Sequence, residues 1–359
     1  MKTHQKGGMP MKNKLETKTA GEILTTVFPP MEYLVDGLLP QGLFILAGTQ
    51  KVGKSWLALD LCVSIATERK VLGRTTVRRD ALYLCLEDNF RRIQKRLFAI
   101  DAPETEDMYC AVTSGTIEHG LLEQIEEFYK EHIDLGLVVI DTLQKVREGV
   151  ESTYATDYKE MSALKALADK LDITIIVIHH TRKMPDSDPF NQITGSTGLS
   201  GCADGSLVLA ETYRGSGVGT LTCVGRDVGF LEIKVHFDSS QMRWIAEEDL
   251  SVSGSKNNLF LSAVYVFIRE KLHFVGTPTE LSDELKAITD ETFYPNRIKR
   301  DLVENGYTLM LYGIVFAYER RHSGRYIKLD YYPERDSSVG RNEGGFTVAQ
   351  LPVNASQSS

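Results

Sequence analysis

Apolar residues recur along this chain in two alternating rhythms. Compact apolar runs at Gly42–Ala47, Asp80–Leu86, Gly136–Ile140, Ile173–Ile178 and Gly205–Ala210 read as strands. Between them, Ser55–Ala66, Phe90–Ala99, Gly120–His132 and Tyr158–Lys170 carry the wider spacing of helices. Strand and helix in alternation predict an α/β fold whose central, mostly parallel sheet is joined by crossover helices. Several strands are unbroken Leu, Ile and Val, as expected where both faces of a sheet are covered. Gly219–Val224 and Glu232–Phe237 alternate instead, which suits a closing antiparallel edge.

The pattern weakens at both ends and once in between. Residues 1–20 are polar and aperiodic and read as a disordered tail, with the α/β domain expected over 21–250. A Ser/Gly/Asn-rich stretch at 251–258 reads as a linker, and 336–359 as a second disordered tail. The intervening 259–335 form a separate small α+β unit. Helices are expected at Leu259–Leu272, at Thr279–Ala287 and from Tyr294 to Gly306, followed by strands Ile314–Glu319 and Tyr326–Tyr331. Three helices and a hairpin in that order resemble a winged helix-turn-helix.

Composition narrows the class. With 42% hydrophobic and 25% charged residues the chain is an ordinary globular protein, and no apolar run approaches the roughly 18 residues of a membrane span. Five cysteines are scattered without a CxxC pair, so a reduced, cytoplasmic protein is expected. A formal net charge of −8 excludes a uniformly basic surface but not a local one. Between Arg297 and Lys328, seven Lys/Arg stand against three Asp/Glu. Arg297, Lys299 and Arg300 open the third helix, where contacts to duplex DNA are made in such modules; protein contact is the competing reading.

The chemistry begins at Gly48-Thr49-Gln50-Lys51-Val52-Gly53-Lys54-Ser55, which matches G-x-x-x-x-G-K-[ST] in full between a strand and a helix. Glycines let the backbone N–H groups cradle phosphate, and the helix beginning near Trp56 adds its positive end. Lys54 is expected on the β- and γ-phosphates of ATP and the Ser55 hydroxyl on Mg²⁺. Leu137-Val138-Val139-Ile140-Asp141 is a buried-looking strand ending in a carboxylate, the pattern of a second Mg²⁺ partner, though Asp141-Thr142 could also cap a turn. Leu82 to Leu86 ends in Glu87 and Asp88; Glu87 is the candidate general base and Asp88 the candidate cap of the next helix. The strand ending in His179-His180 can turn only one imidazole toward the γ-phosphate, and no further ligand is near to make a metal site.

P-loop, strand-end Glu, strand-end Asp and strand-end His in this order resemble the RecA-like ATPases of the RepA type, hexameric replicative DNA helicases related to DnaB. The resemblance covers about Leu34 to Asp249. It implies Lys54 and Ser55 in the phosphate and metal roles, Glu87 as base, Asp141 on the metal and His180 as γ-phosphate sensor. Gly225-Arg226-Asp227 is similar to the position of the arginine finger, which acts on the neighbouring subunit's ATP. DnaB-type relatives usually place a lysine two residues before that arginine; this chain has Val224, and an ordinary surface arginine is the competing reading.

The resemblance further implies a homo-oligomer, by the family's habit a hexamer. Single-stranded DNA would bind on the loops 142–157 and 181–197, which contain Lys145, Arg147, Arg182 and Lys183, and a primase or replication initiator would be a partner. A DNA-bound regulatory ATPase that uses ATP as an assembly switch is the rival reading.

Overall fold

The computed structural model describes residues 17–29, 31–148, 153–181, 190, 193, 197–247, 255–289, 291–321 and 324–336. They divide into two compact units, Met31–Leu250 and a second formed by the chain's two ends, Met1–Pro30 with Ser251–Ser359. The first helix, α1 (Ala20–Ile23), therefore belongs with the C-terminal unit, whereas the sequence placed everything from residue 21 with the ATPase. The contact that draws it there includes Val27, which lies against the bare backbone of Gly306.

The larger unit opens with a small antiparallel pair, β1 (Tyr33–Val35) and β2 (Leu39–Pro40). It continues through β3 (Gly42–Gly48), α2 (Lys54–Ala66), β4 (Asp80–Cys85), α3 (Phe90–Ala99), β5 (Met108–Ala111), α4 (Leu121–Glu131) and β6 (Leu135–Asp141). A short 3-10 turn at Leu143–Val146 leads to α5 (Tyr154–Leu171), β7 (Thr174–His180), α6 (Thr197–Cys202), β8 (Gly205–Glu211), β9 (Val218–Gly225), β10 (Leu231–Asp238) and β11 (Arg243–Ala246). Nine strands form one sheet in the order β11-β10-β9-β8-β3-β7-β6-β4-β5. The six from β8 to β5 are parallel, and β9, β10 and β11 close the sheet antiparallel.

Burial explains the unbroken apolar strands. On β3, Phe44 and Leu46 enter a core with α2 and α3, while Leu43, Ile45 and Ala47 enter a second core with α4 and α5 on the opposite face. Each fully buried Leu or Ile removes apolar surface worth about 1.5–3 kcal/mol, and every central strand supplies them to both sides. One polar β3 side chain would expose a polar group to one of these cores, so the sequence has little latitude here.

The C-terminal unit adds α7 (Ser255–Lys271), β12 (His273–Gly276), α8 (Pro278–Thr289), α9 (Pro295–Glu304), α10 (Gly306–Leu311), β13 (Tyr312–Arg321) and β14 (Gly324–Asp336). Its sheet runs β12-β14-β13, and its core holds Phe260, Ile268, Leu281, Leu285, Ile298 and Leu302. Helix α7 starts at Ser255, inside the stretch read as a linker; residues 1–16, 251–254 and 337–359 lie outside the described residues. Thr277 and Glu280 form the reciprocal cap that starts α8, with Pro278 at its first position.

Candidate functional site

The parallel register lines up the ends of four neighbouring strands. Gly48 on β3 pairs with His180 on β7, and Cys85 on β4 pairs with Asp141 on β6. The phosphate loop, His180, Asp141 and the residues after β4 thus share the C-terminal edge of the sheet, where open α/β sheets bind ligands.

The loop is built for an anion. Gly53 precedes α2 at φ +95° and no side chain caps the helix, which leaves its first N–H groups facing the loop. A Cβ on Gly53 would stand 2.7 Å from the indole Nε1 of Trp244, and one on Gly48 would stand 2.5 Å from the Leu209 carbonyl. Both glycines are therefore required by close approach. Thr49, Gln50 and Lys51 are exposed, Lys51 with φ +70°, while Val52 anchors the loop in the core. Trp56, one turn in, carries Arg96 over its ring at 5.5 Å.

Lys54 is 5% exposed and folds back on its own loop, donating to the carbonyls of Gly48 (2.8 Å) and Thr49 (2.9 Å). Burial pulls its pKa down to about 8, against the opposing pull of Asp141 and Glu87. Its ammonium also stands 3.3 Å from Nδ1 of His180. An ammonium can only donate, so Nδ1 accepts and the imidazole proton sits on Nε2. Burial and then the Lys54 charge lower the His180 pKa, which keeps the ring neutral near pH 7.

Asp141 is 6% exposed. Burial raises its pKa, and hydrogen bonds from Ser55 and Tyr83 oppose that rise. The Tyr83 hydroxyl donates to Oδ2 at 2.7 Å. Glu87 accepts from the Thr142 hydroxyl at 3.3 Å. Ser55 and Asp141 together present only oxygen donors, which suits a hard cation such as Mg²⁺. Among the described residues no cluster of three or more His, Cys, Asp or Glu could hold a metal by itself. Mg²⁺ takes one or two protein ligands and completes its shell with phosphate and water.

Two sequence readings need revision, those of Asp88 and Arg147. Asn89, not Asp88, caps α3, accepting from the Arg92 N–H at 3.0 Å; Asp88 instead binds the side chains of Arg92 and Arg96. Arg147, expected on a DNA-binding loop, is buried between Asp157 and Glu160, 2.7 Å from each, and is not available to DNA; Lys145 is exposed. Arg182 and Lys183 lie outside the described residues. Arg226 is far from the phosphate loop of its own chain. Its N–H donates to the Asp204 carbonyl, and its guanidinium lies 3.5 Å from the Asp204 carboxylate, beside Leu43 at the start of β3. Five residues of strand, about 17 Å, separate that level from Gly48. Sequence reading missed Tyr83, Thr142 and Trp244, whose polar atoms meet the site only through tertiary contacts.

In the C-terminal unit, Ile298 and Leu302 fix the inner face of α9. Arg297, Lys299 and Arg300 are exposed on other faces. The outward residues Asn296, Lys299, Arg300 and Val303 face the N-terminal segment at Leu24 and Phe28 across a groove of about 540 Å³.

Comparison with known proteins covers the part of the chain that carries the site. The family described as an AAA domain matches residues 11–186, which hold Lys54, Glu87, Asp141 and His180 but not Arg226. The chain is 24% identical to the replicative DNA helicase DnaB of Haemophilus influenzae over 46% of its own length and 40% of that protein's. It is 28% identical to the DNA repair protein RadA of Mycobacterium tuberculosis over 41% of its length and 28% of that protein's. The chain thus spans well under half the length of these curated relatives. Among solved structures, the ATPase domain of G40P overlays 58% of this chain and 85% of its own, at TM-score 0.49 and 14% identity. The larger unit is an α/β domain with a mostly parallel central sheet and a complete phosphate-loop motif at its C-terminal edge. Among the described residues no helix is long and apolar enough to cross a membrane.

Proposed function

We propose that the chain is an Mg²⁺-dependent ATPase that works as a ring-forming DNA-replication helicase of the RepA type, in a plasmid, phage or integrative element. The observation that carries the reading is the convergence of Lys54, Ser55, Glu87, Asp141 and His180 on one sheet edge around an uncapped helix end. Lys54 exchanges its loop carbonyls for the β- and γ-phosphates when ATP enters. Glu87, held by Thr142, orients the attacking water and takes its proton. His180 offers Nε2–H to the γ-phosphate and couples its loss to the loop that follows β7. Ser55 and Asp141 would hold Mg²⁺, which would supply positive charge to offset the charge that develops on the phosphates. Arg226 acts on the ATP of a neighbouring copy.

The C-terminal unit is read as a winged helix-turn-helix, supported by its order of helix, strand, three helices and hairpin and by the exposed basic residues of α9. That unit also favours a second reading, a DNA-bound ATPase switch that does not unwind. ATP hydrolysis measured with and without single-stranded DNA, beside Lys54→Ala, separates the two. A many-fold stimulation lost in the variant supports the motor. Hydrolysis indifferent to single strands, with tight duplex binding, refutes the motor and leaves the switch.

A further inference from the structure

Tyr83 is the largest fully buried side chain among the described residues, and its hydroxyl is spent on Asp141. The position does not need a phenol for packing. The ring lies in the apolar core with Leu57, Ala58 and Cys62 of α2, where phenylalanine would fill nearly the same volume without burying a polar atom. The register explains the reach. Tyr83 pairs with Val139, and Asp141 stands two residues further on the same face of β6, about 6.6 Å along the strand. A tyrosine directed along the sheet bridges that offset, whereas serine or threonine is too short.

We infer that Tyr83 is a positioning residue for the metal-binding carboxylate: it occupies Oδ2 of Asp141 and so turns Oδ1 toward Ser55 and the ion. This rests on the reading of Asp141 as a magnesium partner. A carboxylate with both oxygens unrestrained samples several orientations, and a single donor at hydrogen-bond distance selects one. The same bond ties β4, which leads to Glu87, to β6, which ends in Asp141. Metal carboxylate and candidate base therefore keep a fixed separation.

The test measures Mg²⁺-dependent binding of a non-hydrolysable ATP analogue, read by intrinsic fluorescence. The chain has two tryptophans, Trp56 and Trp244, and both adjoin the phosphate loop. In Tyr83→Phe the Mg²⁺ concentration for half-maximal tight binding rises about tenfold or more, the usual loss when a metal ligand's supporting partner is removed. Analogue affinity in EDTA stays within about twofold, because phosphate contacts from the loop and Lys54 are untouched.

In an Asp141→Asn background, Tyr83→Phe costs no further Mg²⁺ dependence, since the tyrosine acts only through the carboxylate. Unchanged Mg²⁺ dependence in Tyr83→Phe overturns the assignment, as does a variant whose melting in EDTA shows it no longer folds. Failure of the underlying reading looks different: the unaltered protein then binds the analogue equally well with and without Mg²⁺.

Discussion

Replacing Gly53 by alanine tests the packing of the phosphate loop independently of any ligand. The new Cβ would stand 2.7 Å from Trp244 Nε1 and 3.4 Å from Cε2, on a residue whose φ is +95°. A left-handed conformation costs a residue with a Cβ about 1–2 kcal/mol, and overpacking a filled site about 1–3 kcal/mol more. The less flexible unfolded chain returns roughly 0.4–1 kcal/mol, so the net loss is about 2–4 kcal/mol. For a unit of this size that lowers the melting temperature by about 5–15 °C. The assay is thermal and urea denaturation in EDTA. Trp244→Phe removes the colliding nitrogen and loses no hydrogen bond among the described residues, where Nε1 has no partner. Gly53→Ala with Trp244→Phe is therefore expected to be more stable than the sum of the single losses by about 1 kcal/mol or more. Wild-type stability in the single variant, or strict additivity in the double, would refute the argument.

Other outcomes follow from single contacts. Arg147→Ala removes the buried cation between the Asp157 and Glu160 carboxylates and should cost about 3–5 kcal/mol in urea unfolding. Lys54 carries a pKa near 8 when folded against its ordinary 10.5, so the folded state is penalised at pH 7 and recovers as pH rises from 8 to 10.5. Lys54→Met should therefore be the more stable protein at pH 7 without nucleotide, with the gap closing by pH 10 in calorimetry. Val27→Asp detaches the N-terminal segment from Gly306; if α9 reads DNA, duplex affinity rises in a fluorescence titration, and an unchanged affinity sinks that placement. Mixed Lys54→Ala and Arg226→Ala proteins should regain part of the hydrolysis each lacks, which an arginine acting only within its own chain would not allow.

How far the sequence was legible depends on the range over which each signal acts. β3, β6 and β7 announce themselves because both of their faces are buried, so every position must be apolar. Edge strand β5 is half-buried throughout and β12 largely exposed, and neither was recognised. The phosphate loop is contiguous, so its chemistry is complete in eight residues. Tyr83 reads as one more apolar strand residue, and only the offset between β4 and β6 reveals what its hydroxyl meets. Arg147 shows the opposite failure. A basic residue on a loop looks available until α5 brings Asp157 and Glu160 against it, a pairing set by how that helix returns to the sheet.

Arg226 brings sequence order and spatial order into apparent conflict. Its neighbours on β8 and β9 hold it at the opening end of β3, while the phosphates belong at the closing end. Asp204 explains why it stays there: this buried carboxylate also accepts the Leu43 N–H and Lys165, so it is fixed before the arginine reaches it. No side-chain motion spans about 17 Å of strand. Either the arginine is an ordinary surface residue paired with Asp204, or it serves a phosphate that is not its own. The exposure of 61% of its side chain, on a carboxylate anchored from within, is common to both alternatives, and the proposed function takes the second. A cation presented outward on a rigid support loses little conformational freedom when a neighbouring subunit's nucleotide arrives.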